Sequence, residues 1–112
     1  MVAEPAGFNQ LIHSPVRLRL CAALATANEI EFEVLERALA ITSPTLSKQL
    51  RLLQDAELVE LERRPQSFGR PHTWVRLTRT GERAYAAHVR ALNQIVRAAG
   101  AEAADDSVGP RE

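Results

Sequence analysis

Ser43–Leu58, SPTLSKQLRLLQDAEL, and Arg63–Arg79, RRPQSFGRPHTWVRLTR, decide the fold of this chain. In the first, Ser43 before Pro44 reads as a helix start. A serine hydroxyl caps the free N–H groups of the first turn, and proline lacks only an N–H that this turn leaves unbonded. Leu46, Leu50 and Leu53 then recur at i, i+4 and i+7, which puts them on one inward face. The opposite arc carries Thr45, Ser47, Lys48, Arg51, Leu52 and Asp55. The second stretch holds five arginines, one histidine and no acidic residue. Its strands alternate, with Leu58, Glu60 and Glu62 set against Val59, Leu61 and Arg63, and Thr73–Leu77 returning. Pro65, Gly69 and Pro71 can continue neither strand, so the two form a β-hairpin tipped by Arg63, Arg64, Arg70 and His72.

Upstream of this pair, Ser14-Pro15 repeats the serine-proline start, and Val16, Leu20, Cys21, Leu24 and Ala25 form one apolar stripe. Before it, Phe8, Leu11 and Ile12 suggest a short helix. Thr26–Glu29 is a polar break, Glu29–Glu31 is extended with Ile30 placed to pair with the hairpin, and Phe32, Leu35 and Leu39 lie on a further helix. Only Ala40–Thr42 separates that helix from the one at Ser43, which is the spacing of a helix-turn-helix without its usual glycine. Downstream, Thr78 caps a last helix on which Tyr85, Val89, Leu92 and Val96 repeat at helical spacing for about four turns. The expected architecture is α+β, mainly α with a small β-hairpin, in the order α-α-(β)-α-α-β-β-α. Residues 1–6 are expected to be disordered, 7–99 to form the domain with its terminal helices, and 100–112 to be a disordered acidic tail.

Composition narrows the function. The 112 residues carry 14 Lys and Arg against 14 Asp and Glu, for a net charge of zero, so positive charge is concentrated rather than abundant. Length suits one domain with a modest core. No apolar run approaches the roughly 20 residues of a membrane span, and no signal peptide is evident, so a cytoplasmic location is expected. Cys21, alone and in an apolar helix, reads as core. Cys21, His13, His72 and His88 are too scattered for a metal site, and no phosphate loop or nucleophile with a base appears. Neither enzyme activity nor a cofactor is expected. Trp74 is expected to pack in the core and His88 at an interface.

A helix with a polar outer arc followed by a cationic hairpin is the order in which a helix enters the major groove while the hairpin reaches phosphates beside it. The strings SPVRLRLCAAL, SPTLSKQLRLLQDAELVE and GRPHTWVRLTRTGERAYAAHVRAL, together spanning about Gly7–Asn93, resemble winged helix-turn-helix transcriptional regulators of the MarR and ArsR type. The nearest likeness is to compact stand-alone winged-helix DNA-binding proteins. The resemblance implies a homodimeric regulator, in the first instance a repressor, on a palindromic double-stranded operator. It assigns DNA contact to Ser43, Thr45, Ser47, Lys48, Gln49 and Arg51 on the recognition helix and to Arg63, Arg64, Arg70 and His72 on the wing. Dimer contacts are expected at Phe8, Leu11, Ile12, Tyr85, Val89, Leu92 and Val96, where apolar positions near both termini exceed what a small core covers. No residue points to a small-molecule effector or a membrane partner. The competing reading is a winged helix that docks a protein instead of DNA.

Overall fold

The computed structural model describes residues 4–107. Seven elements follow in order: α1 (Pro15–Ala25), β1 (Ile30–Glu31), α2 (Phe32–Leu39), α3 (Ser43–Asp55), β2 (Val59–Arg64), β3 (His72–Leu77) and α4 (Arg79–Ser107). The leucines chosen by helical spacing do close the interior: Leu20 and Leu24 of α1, Leu35 and Leu39 of α2, and Leu46, Leu50 and Leu53 of α3 are all buried. Cys21 joins them, and burial pushes its thiol up to about 11 although Arg17 pulls the other way, so the thiolate is disfavoured. The antiparallel sheet has the order β1-β3-β2, with Val75 of the central strand opposite both Ile30 and Leu61. Val59, Val75 and Leu77 face the helices. Among the described residues no helix is long and apolar enough to cross a membrane.

Three local expectations are corrected, and the glycine-free turn between α2 and α3 is explained. Gly7–Ser14 forms turns, not a helix. Asn9 explains this: its side-chain oxygen accepts the Ile12 N–H at 3.0 Å while its own N–H donates to His88 Nδ1 at 2.9 Å, a side-chain pattern that competes with helical bonding. The cap of α3 lies one residue earlier than expected, since Thr42 is the capping residue and Ser43 and Pro44 already belong to the first turn. The α2–α3 turn, which lacks glycine, uses Ala40 in the left-handed region at φ 55. Finally, α4 does not stop near residue 99. Its alanine-rich continuation stays helical to Ser107, as strong helix propensity allows, so residues 100–107 of the expected tail are helix, and its remainder, 108–112, lies outside the described residues. Residues 1–3 lie outside them as well.

Candidate nucleic-acid interface

The inward leucines of α3 turn its polar arc to the solvent, where Ser43, Thr45, Ser47, Lys48 and Arg51 are exposed. At its N-terminus the Thr42 hydroxyl oxygen accepts the Thr45 N–H at 3.3 Å and its hydroxyl donates to Thr45 Oγ1 at 2.9 Å. This cap holds the helix end while using part of Thr45's bonding capacity. Gln49 departs from the expected set: it is half-buried and its Oε1 accepts from Arg17 of α1 at 2.7 Å. It therefore ties α3 to α1. Leu52 stays on the outer arc, 38% exposed.

Strand alternation sorts the hairpin's cations. Val59 and Leu61 face the core, so Arg63 lies on their side, the side of α3, whereas Glu60, Glu62 and Arg64 lie on the outer face. A groove of about 670 Å³ is lined on one wall by Ser43 and Ser47 of α3 and on the other by Leu61, Arg63, Arg70 and Thr73 of the hairpin. Ser47 also lines a smaller pocket of about 260 Å³ with Pro44, Lys48 and Arg51. The recognition-helix arc and the tip of the hairpin thus share one side of the molecule.

Two residues assigned to the wing are already engaged within the chain. Arg64 pairs with Glu29 and Glu62 on the outer face, and His72 pairs through Nδ1 with Glu31. Arg63 and Arg70 remain exposed. The groove also holds Glu31, Glu33 and Glu36, carboxylates that the sequence reading overlooked. Their position at the end of β1 and along α2, beside the hairpin, follows from the register of β1 on β3, which composition does not reveal. They oppose a phosphate in the groove itself, whereas Lys48 and Arg51 lie outside its lining on the same side of α3.

The model of the winged helix DNA-binding domain family matches residues 16–96. The chain belongs to that family. No curated protein matches it. Among solved structures it is similar to a transcriptional regulator homologue from Pyrococcus horikoshii OT3, at 22% identity and TM-score 0.74 over 80% of this chain and 88% of that one. A putative MarR-family regulator from Enterococcus faecalis V583 aligns at 24% identity and TM-score 0.65, over 87% and 83% of the two chains. The transcriptional repressor BigR from Xylella fastidiosa aligns at 28% identity and TM-score 0.56, over 76% and 80%. The fold is that of MarR-type regulators, and the chain is a DNA-binding protein of the winged-helix class.

In this winged helix the residues assigned to a dimer contact separate into two groups. Ile12 is fully buried in the protomer's own core, and Leu11 packs against it. Phe8 rests on the rings of His13 and His88, with centroids 4.8 and 4.9 Å away. The terminal segment therefore packs mainly on its own chain. On α4 the buried face is Gly81, His88 and Ala91, which turns Tyr85, Val89 and Leu92 to a half-covered flank and leaves Val96 66% exposed. His88 sits inside the protomer instead of at its surface, with Nε2 lacking a hydrogen-bond partner among the described residues. Burial first, and His13 second, lower its pKa. Trp74 is likewise not core: it lies on the outer face of the sheet beneath Arg64. No group of three or more His, Cys, Asp or Glu side chains among the described residues could hold a metal ion.

Proposed function

We propose that the protein is a homodimeric transcriptional repressor that binds a roughly palindromic operator, with the outer arc of α3 in the major groove and Arg63 and Arg70 on flanking phosphates. The observation that carries this reading is the shared groove: Ser43 and Ser47 face Arg63 and Arg70 across it, and Lys48 and Arg51 continue the same side. Ser43, Thr45, Ser47 and Lys48 are assigned to base edges and nearby phosphates, and Arg51 to phosphate. Gln49, Arg64 and His72 are given up as direct contacts, since each already has a partner within the chain.

Dimerisation is supported by the flank of α4, where Tyr85, Val89 and Leu92, only half-covered by the protomer, and the exposed Val96 form an apolar stripe. The sign of regulation is supported by the similarity to BigR, which is described as a transcriptional repressor. The test is selection of bound sequences from random duplexes. Enrichment of inverted repeats with half-site centres about 10–10.5 base pairs apart is expected. Recovery of no preferred sequence at low salt refutes the reading. The three groove carboxylates favour one alternative, a protein partner of mixed charge, and that alternative is the one left standing by the same failure.

A further inference from the structure

The outer face of the sheet carries a strap that crosses all three strands. In the order β1-β3-β2, Arg64 closes one edge strand and Glu29 immediately precedes the other. The Arg64 guanidinium spans the distance between them, donating from Nη1 to Glu29 Oε1 at 2.7 Å and from Nη2 to Glu29 Oε2 at 2.6 Å. This two-point fork fixes direction as well as distance, because planar guanidinium and planar carboxylate must be aligned to form it. Between the ends, the guanidinium carbon lies 5.0 Å from the centre of the Trp74 ring on β3, and Nη2 also donates to Glu62 at 2.8 Å. Arg76 bonds a further acid, Glu60, at 2.8 Å and approaches the same Glu62 at 3.4 Å and Glu29 at 3.8 Å. The Arg64 hydrogen bond is the leading reason that Glu29 and Glu62 both titrate below the usual carboxylate range.

Arg64 is also the last residue of β2, the point at which the loop bearing Arg70 leaves the sheet. We infer that the Arg64–Glu29 pair is a positioning device for the wing, which sets where Arg63 and Arg70 stand relative to α3, and that Arg64 itself does not touch DNA. For its functional readout this inference rests on the DNA-binding reading above.

The sign of one substitution separates positioning from simple charge. Glu29→Gln removes a negative charge from a DNA-binding protein, so long-range electrostatics alone makes binding tighter. Loss of the strap makes it weaker, on the order of five- to tenfold, since two contacting residues acting as one unit couple at this level. Arg64→Gln should cost the same factor, the double variant no more than either single one, and Glu29→Arg with Arg64→Glu should restore most of the affinity. Urea midpoints measured alongside identify any variant that fails to fold, and the conservative Arg64→Lys, which keeps the charge but not the fork, must also weaken binding.

If Glu29→Gln tightens binding while Arg64→Gln alone lowers the salt dependence by about one, Arg64 is a phosphate ligand and the inference is wrong. Should the unaltered protein show no DNA affinity at all, it is the DNA-binding reading that fails. Amide hydrogen exchange in the free protein then decides the strap by itself. Faster exchange along Arg63–Thr73 in Glu29→Gln supports it, and unchanged exchange overturns it.

Discussion

Gly81→Ala and Gly100→Ala change the same residue type in the same helix and should move stability in opposite directions. Both glycines lie within α4, where alanine is intrinsically better by about 1 kcal/mol. At Gly100 nothing lies within 4 Å of an added Cβ, so that gain should appear nearly undiminished, as about 0.5–1 kcal/mol. At Gly81 the added Cβ would stand 1.9 Å from the Leu58 carbonyl oxygen and 2.8 Å from its carbon. Both are backbone atoms, which cannot rotate away.

Restoring ordinary contact at Gly81 requires the start of α4 to withdraw from Leu58, the residue before β2, by about 1.5 Å. The same carbonyl accepts the Thr78 N–H at 3.0 Å, and the Thr78 hydroxyl oxygen accepts the Gly81 N–H at 2.9 Å, so the withdrawal strains the cap as well. Overpacking of this kind costs about 1–3 kcal/mol and a lost hydrogen bond about 1 kcal/mol more. Set against the propensity gain, a net destabilisation of about 2 kcal/mol remains, roughly a thirtyfold change in the folding equilibrium. Urea unfolding followed by circular dichroism should show the Gly81→Ala midpoint about 1 M or more below that of the parent at similar slope, with Gly100→Ala slightly above it. A Gly81→Ala midpoint equal to or higher than the parent's refutes the close approach of α4 to Leu58.

Four further outcomes are expected. Arg70→Ala should weaken DNA binding across all sequences and reduce the dependence of log K on log salt by about one per protomer, as read by fluorescence anisotropy over a salt series; an unchanged slope removes Arg70 from the phosphates. Val96→Glu, at a position 66% exposed in the protomer, should leave folding intact and shift sedimentation from dimer to monomer, whereas an unaltered dimer places the subunit contact elsewhere. Ala40→Gly should stabilise by about 0.5–1 kcal/mol, since φ 55 strains any residue with a Cβ, and a loss of stability in thermal unfolding contradicts that strain. Because the folded-state pKa of His88 lies below its ordinary 6.5, its contribution to stability is complete above pH 6.5 and is lost as pH falls through the lowered folded value; His88→Leu should flatten that part of the stability profile, and an identical profile shows that another group titrates there.

How far the residues disclosed this molecule depended on whether the signal was local. The leucine periods of α1, α2 and α3, the Thr78 cap and the pairing of Ile30 with β3 were readable because each rests on spacing within one or two elements. Gly7–Ser14 was misread because its conformation is imposed by His88, 79 residues away from Asn9 in sequence. The errors at the wing have a different origin. Alternation along β2 already put Arg63 with Leu61 and Arg64 with Glu62, on opposite faces, yet shared charge and adjacency grouped the two arginines together. Glu29, Glu31, Glu33 and Glu36 carried no such local sign, since their meaning depends on which strand lies beside them.

The division of arginines also bears on the proposed pairing of protomers. With 14 cationic and 14 acidic side chains the chain has no net charge to draw in DNA from a distance, and the outer sheet face consumes Arg64 and Arg76 on Glu29, Glu60 and Glu62. The α3 side retains Lys48, Arg51, Arg63 and Arg70, with three carboxylates in the groove between them. If all four reach phosphates, one protomer releases few counterions, and affinity at physiological salt stays close to that of nonspecific binding. Two protomers joined through α4 would double those contacts, and the second set would bind at the high effective concentration fixed by the first. On the dimeric reading proposed above, the half-covered apolar flank of α4 and the sparse cations of the α3 side act together, since a second protomer would offset the few phosphate contacts of the first.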